Sequence, residues 1–293
     1  MSTAVPPALL DRLVDDAGLF PPARLPMADA IAAHVATRSG PTASLVGRFL
    51  CPASRLAELR ATPGGGDIEV GAILDTVTIA SDEAAVTAAV NAALLHRVAS
   101  IEVAATGPDL DRSVAVLSAG LAVVPADLPV FVELPASELS EWPPALRVLA
   151  AARAGGRAIG AKIRCGGVER SAFPSQGELA AFIAGCHAAG VPFKATAGLH
   201  HAVAHTDPET GFEHHGFLNL LLSCTAVLAG DARRVTTLLA ARDAGVLVAA
   251  ATALDTATAA QVRSELLVGF GSCSVAEPAA DLWSLGLAPE PAA

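Results

Sequence analysis

The sequence predicts a (β/α)8 barrel. Short apolar, often β-branched runs alternate with longer segments of helical period along 293 residues. Six of the runs start near 45, 68, 99, 129, 158 and 191, about 30 residues apart, which is roughly what one strand–helix unit needs. Two further runs at the ends bring the count to eight.

The first of these end runs is Leu13 to Phe20, followed by Pro21, Pro22 and Pro26 as a loop and a helix from Met27 to Thr37. Strands follow at Leu45–Leu50, Ile68–Leu74, Ser100–Ala104, Pro129–Leu134, Ala158–Arg164 and Val191–Thr196. Helices fill the gaps at Pro52–Thr62, Asp82–Leu95, Leu110–Leu121, Pro143–Arg153 and Gln176–Ala189. Between Gly198 and Glu265 lies a helical insertion, in which the apolar run Val246–Ala250 could be read as a further strand. Leu266–Gly271 supplies the last barrel strand, and a short helix near Glu277–Leu285 precedes a frayed tail from Ala288 to Ala293. No linker divides the chain, so a single barrel domain over 1–293 is expected.

Hydrophobic residues make up 53% of the chain and the formal charge is −10, so a large core is available but no basic stripe for nucleic acid or an anionic membrane. The partner expected is a small molecule, and self-association stays open. No signal peptide or long apolar span is visible, which predicts a cytoplasmic protein. Five scattered cysteines form no Cys-x-x-Cys pair, so neither a disulfide framework nor a structural metal site is expected, and no cofactor is called for.

Against seventeen arginines the chain has two lysines, Lys162 and Lys194, both inside segments that read as buried strands. Lysine can lose its proton and act as a base or Schiff-base nucleophile, whereas guanidinium stays charged. Alternation along each strand sends Arg48, Glu102, Glu133, Lys162, Arg164, Lys194 and Thr196 to the lumen, several of them near the carboxyl ends where barrels build active sites. A stabilising ion-pair lattice with no chemistry is the plainer reading of the same residues.

Five of the eight histidines fall between His200 and His215, a density that suits acid–base groups or metal ligands, although the spacing matches no His-Glu-x-x-His helix. Gly271-Ser272-Cys273-Ser274, between the last strand and its helix, could hold an anion on backbone N–H groups. A nucleophilic Cys273 would need a neighbouring base.

The order of these motifs resembles class I deoxyribose-phosphate aldolases across most of the chain. Glu102 stands where that family has an acidic residue on strand four, and Lys162 at its Schiff-base lysine. Lys194, in Phe-Lys-Ala-Thr-Ala-Gly, stands at the second lysine, and Gly271–Ser274 at the phosphate loop. The opening Leu13–Pro22 also resembles the family's entry strand. The segment after Lys162, Ile163-Arg164-Cys165-Gly166-Gly167, departs from the family's Thr-Ser-Thr-Gly, and the paired histidines have no counterpart.

The resemblance implies a lysine-dependent lyase or aldolase acting on a small carbonyl compound or oxoacid. Lys162, Lys194, Glu102, Glu133 and His201 are the catalytic candidates, with Arg48, Arg164, Thr196, His200, Ser272, Ser274 and Asp16 binding substrate. Lys194 is expected to depress the pKa of Lys162 by proximity. Two alternatives are a metal-dependent hydrolase or isomerase using the 200–215 histidines, and a non-catalytic metabolite-binding barrel.

Overall fold

A computed structural model describes residues 5–77, 82–105, 110–135 and 142–289. Eight parallel strands close into a barrel: β1 Val14–Asp16, β2 Val46–Pro52, β3 Val70–Ile73, β4 Ser100–Ala104, β5 Val130–Leu134, β6 Ile159–Arg164, β7 Phe193–Thr196 and β8 Leu267–Ser272. Each strand pairs with its neighbour in sequence, and β1 closes the ring on β8 through Val14↔Phe270, Asp15↔Gly271 and Asp16↔Ser272. The chain thus has the (β/α)8 fold read from its periodicity.

Alternation divides the strands into two faces. Ile101, Val103, Val130, Val132, Ile159, Ala161, Ile163, Phe193 and Ala195 are buried against the helices. Their neighbours face the lumen, whose lower part is filled by Leu50 and Phe131. Small residues make that possible: a Cβ on Gly160 would stand 3.0 Å from the Phe131 ring, and one on Gly71 would stand 2.8 Å from Leu50. The lumen is a packed core below and a polar layer above.

Helices Met27–Arg38, Leu56–Ala61, Glu83–Leu94, Leu110–Gly120, Trp142–Ala154 and Gln176–Ala189 follow β1 to β6. The last has clear start and stop signals. The Ser175 side chain and Glu178 form a reciprocal capping box, and Gly190 ends the helix at φ 64°.

The insertion after β7 is helical throughout its longer part: Phe217–Leu228, Ala232–Ala240, Ala244–Thr252 and Thr256–Glu265. Val246–Ala250 is therefore helix and not strand. Its alanines favour helix, and the Asp243 carboxylate caps the start by accepting from the Gly245 N–H at 2.8 Å. Phe217–Leu228 is buried almost all round, with Phe217 stacked on Phe270 at 5.2 Å. The buried Asn219 amide accepts from Ala204 N at 2.8 Å and donates to Leu238 O and Ala241 O at 2.6 and 2.7 Å. That pins the loop after β7 to the insertion. A two-stranded antiparallel hairpin, His205–Thr206 with Glu213–His214, precedes these helices in the stretch that sequence reads as a helical insertion.

Among the described residues no single helix is long and apolar enough to cross a membrane. Only Ala244–Thr252 and Thr256–Glu265 together reach that length, and they are bent by 105°. The end of the tail, 290–293, lies outside the described residues.

Candidate functional site

Strand register brings the lumenal charges together. Glu133 is paired with Lys162, and Lys162 with Lys194, while Arg164 and Thr196 lie level at the carboxyl ends of β6 and β7. Lys162 Nζ sits 2.7 Å from Glu102 Oε2 and 3.0 Å from Glu133 Oε2. Glu133 in turn meets Arg164 Nε at 3.1 Å. On the other side, Lys194 Nζ bonds both Glu102 Oε1 and Asp15 Oδ2 and lies 5.4 Å from the centre of the Phe131 ring. The result is one chain of alternating charge, Asp15, Lys194, Glu102, Lys162, Glu133, Arg164.

Burying these groups is tolerable only because each charge has an opposite neighbour. Lys162 is 4% exposed and Lys194 1%, with Glu102 at 1% between them. Burial alone would raise the Glu102 carboxyl, but the ammonium groups of Lys162 and Lys194 hold it down at about 2. Glu133 is likewise lowered against burial by Lys162 and Arg164. Burial would lower Lys162, yet the two glutamates raise it above its ordinary value.

That last result corrects the expected depression of Lys162 by Lys194. The two ammonium groups do not face each other across an open pocket; Glu102 stands between them, one oxygen to each. A shared anion outweighs the repulsion of a like charge beyond it.

Asp16 is placed differently from expectation. Its neighbour Asp15 faces the lumen, where Oδ1 also accepts from the Arg48 N–H at 2.6 Å. Asp16 faces outward, with Oδ2 3.0 Å from His34 Nδ1 and Oδ1 accepting from the Gly18 N–H at 3.0 Å. The strand is only three residues long and its pairing with β2 carries a bulge, so alternation could not be read from it. Arg48 points inward but lies early in β2, with its guanidinium 3.7 Å from Glu69 at the amino end of the barrel. It is thus remote from the carboxyl rim, where a substrate would enter.

Thr196 lies half-buried at the end of β7. The Ser272 hydroxyl donates to Ser274 O at 2.7 Å, and the Ser274 hydroxyl accepts from the Glu277 N–H at 3.3 Å, so both stabilise their own turn. Arg164 and Ala104 are exposed, marking where the lumen opens. The segments 78–81, 106–109 and 136–141 of the loops following β3, β4 and β5 lie outside the described residues.

The histidines spread along the rim instead of converging. His200 Nδ1 lies 2.7 Å from Glu277 Oε2, and His201 Nδ1 lies 3.2 Å from Asp281 Oδ2. The rings of His201, His205 and His214 follow one another at 4.8 and 5.1 Å. His215 is buried and donates to Pro174 O at 2.6 Å, with its pKa lowered by burial. Among the described residues no group of three or more His, Cys, Asp or Glu side chains is placed to hold one metal ion. His201 is half exposed and engaged with Asp281 of the last helix, and none of its contacts is with the Lys162 chain among the described residues. Asp15 is the member of the charge chain that sequence reasoning missed, although it sits one residue from the carboxylate chosen.

A parallel barrel with two lysines and three carboxylates interleaved in its lumen defines the class of molecule by architecture. No family model and no curated protein matches this chain. A solved structure described as a "putative deoxyribose-phosphate aldolase from Toxoplasma gondii" is similar in fold, with a TM-score of 0.52 and 13% identity, covering 85% of this chain and 95% of that one.

Proposed function

We propose that this protein is an aldolase-type lyase in which Lys162 forms a Schiff base with a small carbonyl compound or oxoacid. The observation that carries the reading is the placement of Lys162: a buried amine on β6, two residues below an exposed Arg164, with carboxylates on either side. The fold shared with an aldolase candidate is consistent with it.

The chemistry has to start from a protonated amine. With its pKa raised above the ordinary 10.5, freeing the amine at neutral pH costs at least about 5 kcal/mol at about 1.4 kcal/mol per unit. As the proton of Lys162 passes to a neighbouring carboxylate, the amine attacks a carbonyl entering from the rim; the carboxylate returns that proton to the carbinolamine oxygen, the C–O bond breaks and water leaves the cationic imine. Glu133 is the better acceptor, since Arg164 can swing toward a substrate carboxylate and release it. Glu102, held by both lysines, keeps its charge and stabilises the cationic imine. Lys194, on the other oxygen of Glu102, is placed to deliver a proton when the carbon–carbon bond breaks.

Borohydride treatment with candidate aldehydes and 2-oxoacids tests this. The expected result is an irreversible adduct on Lys162 alone, absent from Lys162→Met, with a yield that rises through the alkaline range. No adduct at any pH, with ligands still raising the melting temperature, would instead favour the non-catalytic metabolite-binding barrel. The complete pairing of both lysines is the observation on that side.

A further inference from the structure

Arg164 on β6, Thr196 on β7 and Gly271 on β8 lie level with one another where the lumen opens. One layer down, Lys162 and Lys194 are fully committed to carboxylates. The upper layer is not. Arg164 is half exposed and spends only Nε on Glu133, while its two Nη groups donate to no described residue. The half-buried Thr196 hydroxyl has no hydrogen-bond partner among the described residues. Gly271 keeps the space beside that hydroxyl open, since a Cβ there would stand 3.3 Å from Thr196 Oγ1 and 3.0 Å from Leu50 Cδ1.

Two unspent donors and an unfilled position therefore adjoin one another above Lys162, and their spacing decides what fits. Arg164 lies two residues beyond Lys162, about 6.6 Å along the strand. The Glu133 carboxylate already spans the pair, with Oε2 3.0 Å from Lys162 Nζ and Oε1 3.1 Å from Arg164 Nε. One planar carboxyl group is thus enough to touch both cations. A ligand that offers an electrophilic carbon to the ammonium and an anion to the guanidinium must carry the two on adjacent carbons. A phosphate ester is too long, because at least one carbon and the ester oxygen separate its phosphorus from a carbonyl. The turn after β8 is a poorer place for an anion. There the Ser274 N–H donates to Ser272 Oγ at 3.4 Å and the Glu277 N–H to Ser274 Oγ at 3.3 Å, and the acidic Glu277 stands in the first turn of the helix Ala276–Ser284 that follows.

We infer that Arg164, Thr196 and Gly271 form a carboxylate subsite for a 2-oxoacid. The carboxylate takes the guanidinium from Glu133 and accepts from the Thr196 hydroxyl in the space Gly271 leaves, and the 2-oxo carbon faces Lys162. The fate of that carbon rests on the Schiff-base reading; the subsite rests on the three rim residues. Arg164 and Thr196 are then the residues that determine specificity.

Pyruvate and methyl pyruvate are matched probes, with the same carbonyl and only the charge removed. Under borohydride, pyruvate should half-saturate the labelling of Lys162 at a concentration at least about tenfold below that of the ester. Arg164→Met should bring that ratio close to unity, and Thr196→Val should reduce it. Glyceraldehyde 3-phosphate should label more weakly than pyruvate. Lactate has no carbonyl to trap and reads the subsite alone: it should raise the melting temperature of the parent protein more than methyl lactate does, and Arg164→Met should abolish the difference. Equal half-saturation by pyruvate and its ester, or a ratio unchanged in folded Arg164→Met and Thr196→Val, overturns the subsite and leaves the Schiff base standing. No adduct, with lactate still selected through Arg164, overturns the Schiff base and supports the subsite. No adduct and no selection of lactate overturns both.

Discussion

Glu102 carries two ammonium groups on one buried carboxylate, so its charge should matter more than that of any other acid in the chain. Glu102→Gln would leave Lys162 with Glu133 alone and Lys194 with Asp15 alone, and both lysines facing a neutral amide. The expected loss is about 3–5 kcal/mol, the range for breaking a buried pair by removing one partner, measured by urea unfolding. The acid limb of stability should report the same residue. Because the Glu102 carboxyl falls from an ordinary 4.5 to about 2 in the folded chain, its contribution is fully present above 4.5 and lost as pH falls toward 2. Lys162 acts in the opposite sense: its raised pKa contributes stability below 10.5 that disappears only as pH rises past the folded value. Unfolding free energies across both limbs should show two separate declines, and Glu102→Gln should flatten the acid one. Lys194→Met should raise Lys162 further, since Glu102 would then answer to one cation, moving any Lys162-dependent rate to higher pH.

Elements place side chains with different degrees of forgiveness, and the loop after β7 is among the least forgiving. Gly198 and Gly211 share φ 68°, but a Cβ on Gly198 would meet Cys165 O at 2.6 Å, whereas one on Gly211 meets nothing within 4 Å. Gly211→Ala should therefore cost only the left-handed backbone term of about 1 kcal/mol, and Gly198→Ala several times that. Denaturant midpoints of the two variants compare them directly. The same contrast marks how far sequence could be read. Strands β4 to β7 have long apolar alternation, and the inward set Glu102, Glu133, Lys162 and Lys194 could be taken from it. In β1, three residues with a bulge gave no parity, and the lumenal carboxylate proved to be Asp15. The histidine partners were invisible for another reason: Glu277 and Asp281 lie about eighty residues along the chain from His200 and His201, and neither local spacing nor periodicity encodes that meeting.

At the scale of the whole molecule the barrel depends on its seam. β1 and β8 share only three paired positions, and below them the Arg263 guanidinium gathers the two chain ends. It donates to Leu9 O and Asp11 O at 3.0 and 2.8 Å and to Leu267 O and Val268 O at 3.0 and 2.6 Å. Arg263→Ala strips these carbonyls of a half-buried charged donor and should cost on the order of 2–5 kcal/mol, with Arg263→Lys giving little relief because an ammonium cannot reproduce the fork. Hydrogen exchange should quicken first at 14–16 and 267–270. The polar lumen has a different consequence. The three acids and three bases of the chain from Asp15 to Arg164 cancel, so the formal −10 is carried by residues outside it. Raising ionic strength from about 0.01 to 1 M shortens the Debye length from about 30 to 3 Å, which relieves repulsion over the outer envelope and does not reach the enclosed pairs. The protein should become more resistant to heat in concentrated sodium chloride, gaining from shielding outside what a barrel with unbalanced interior charge would forfeit within.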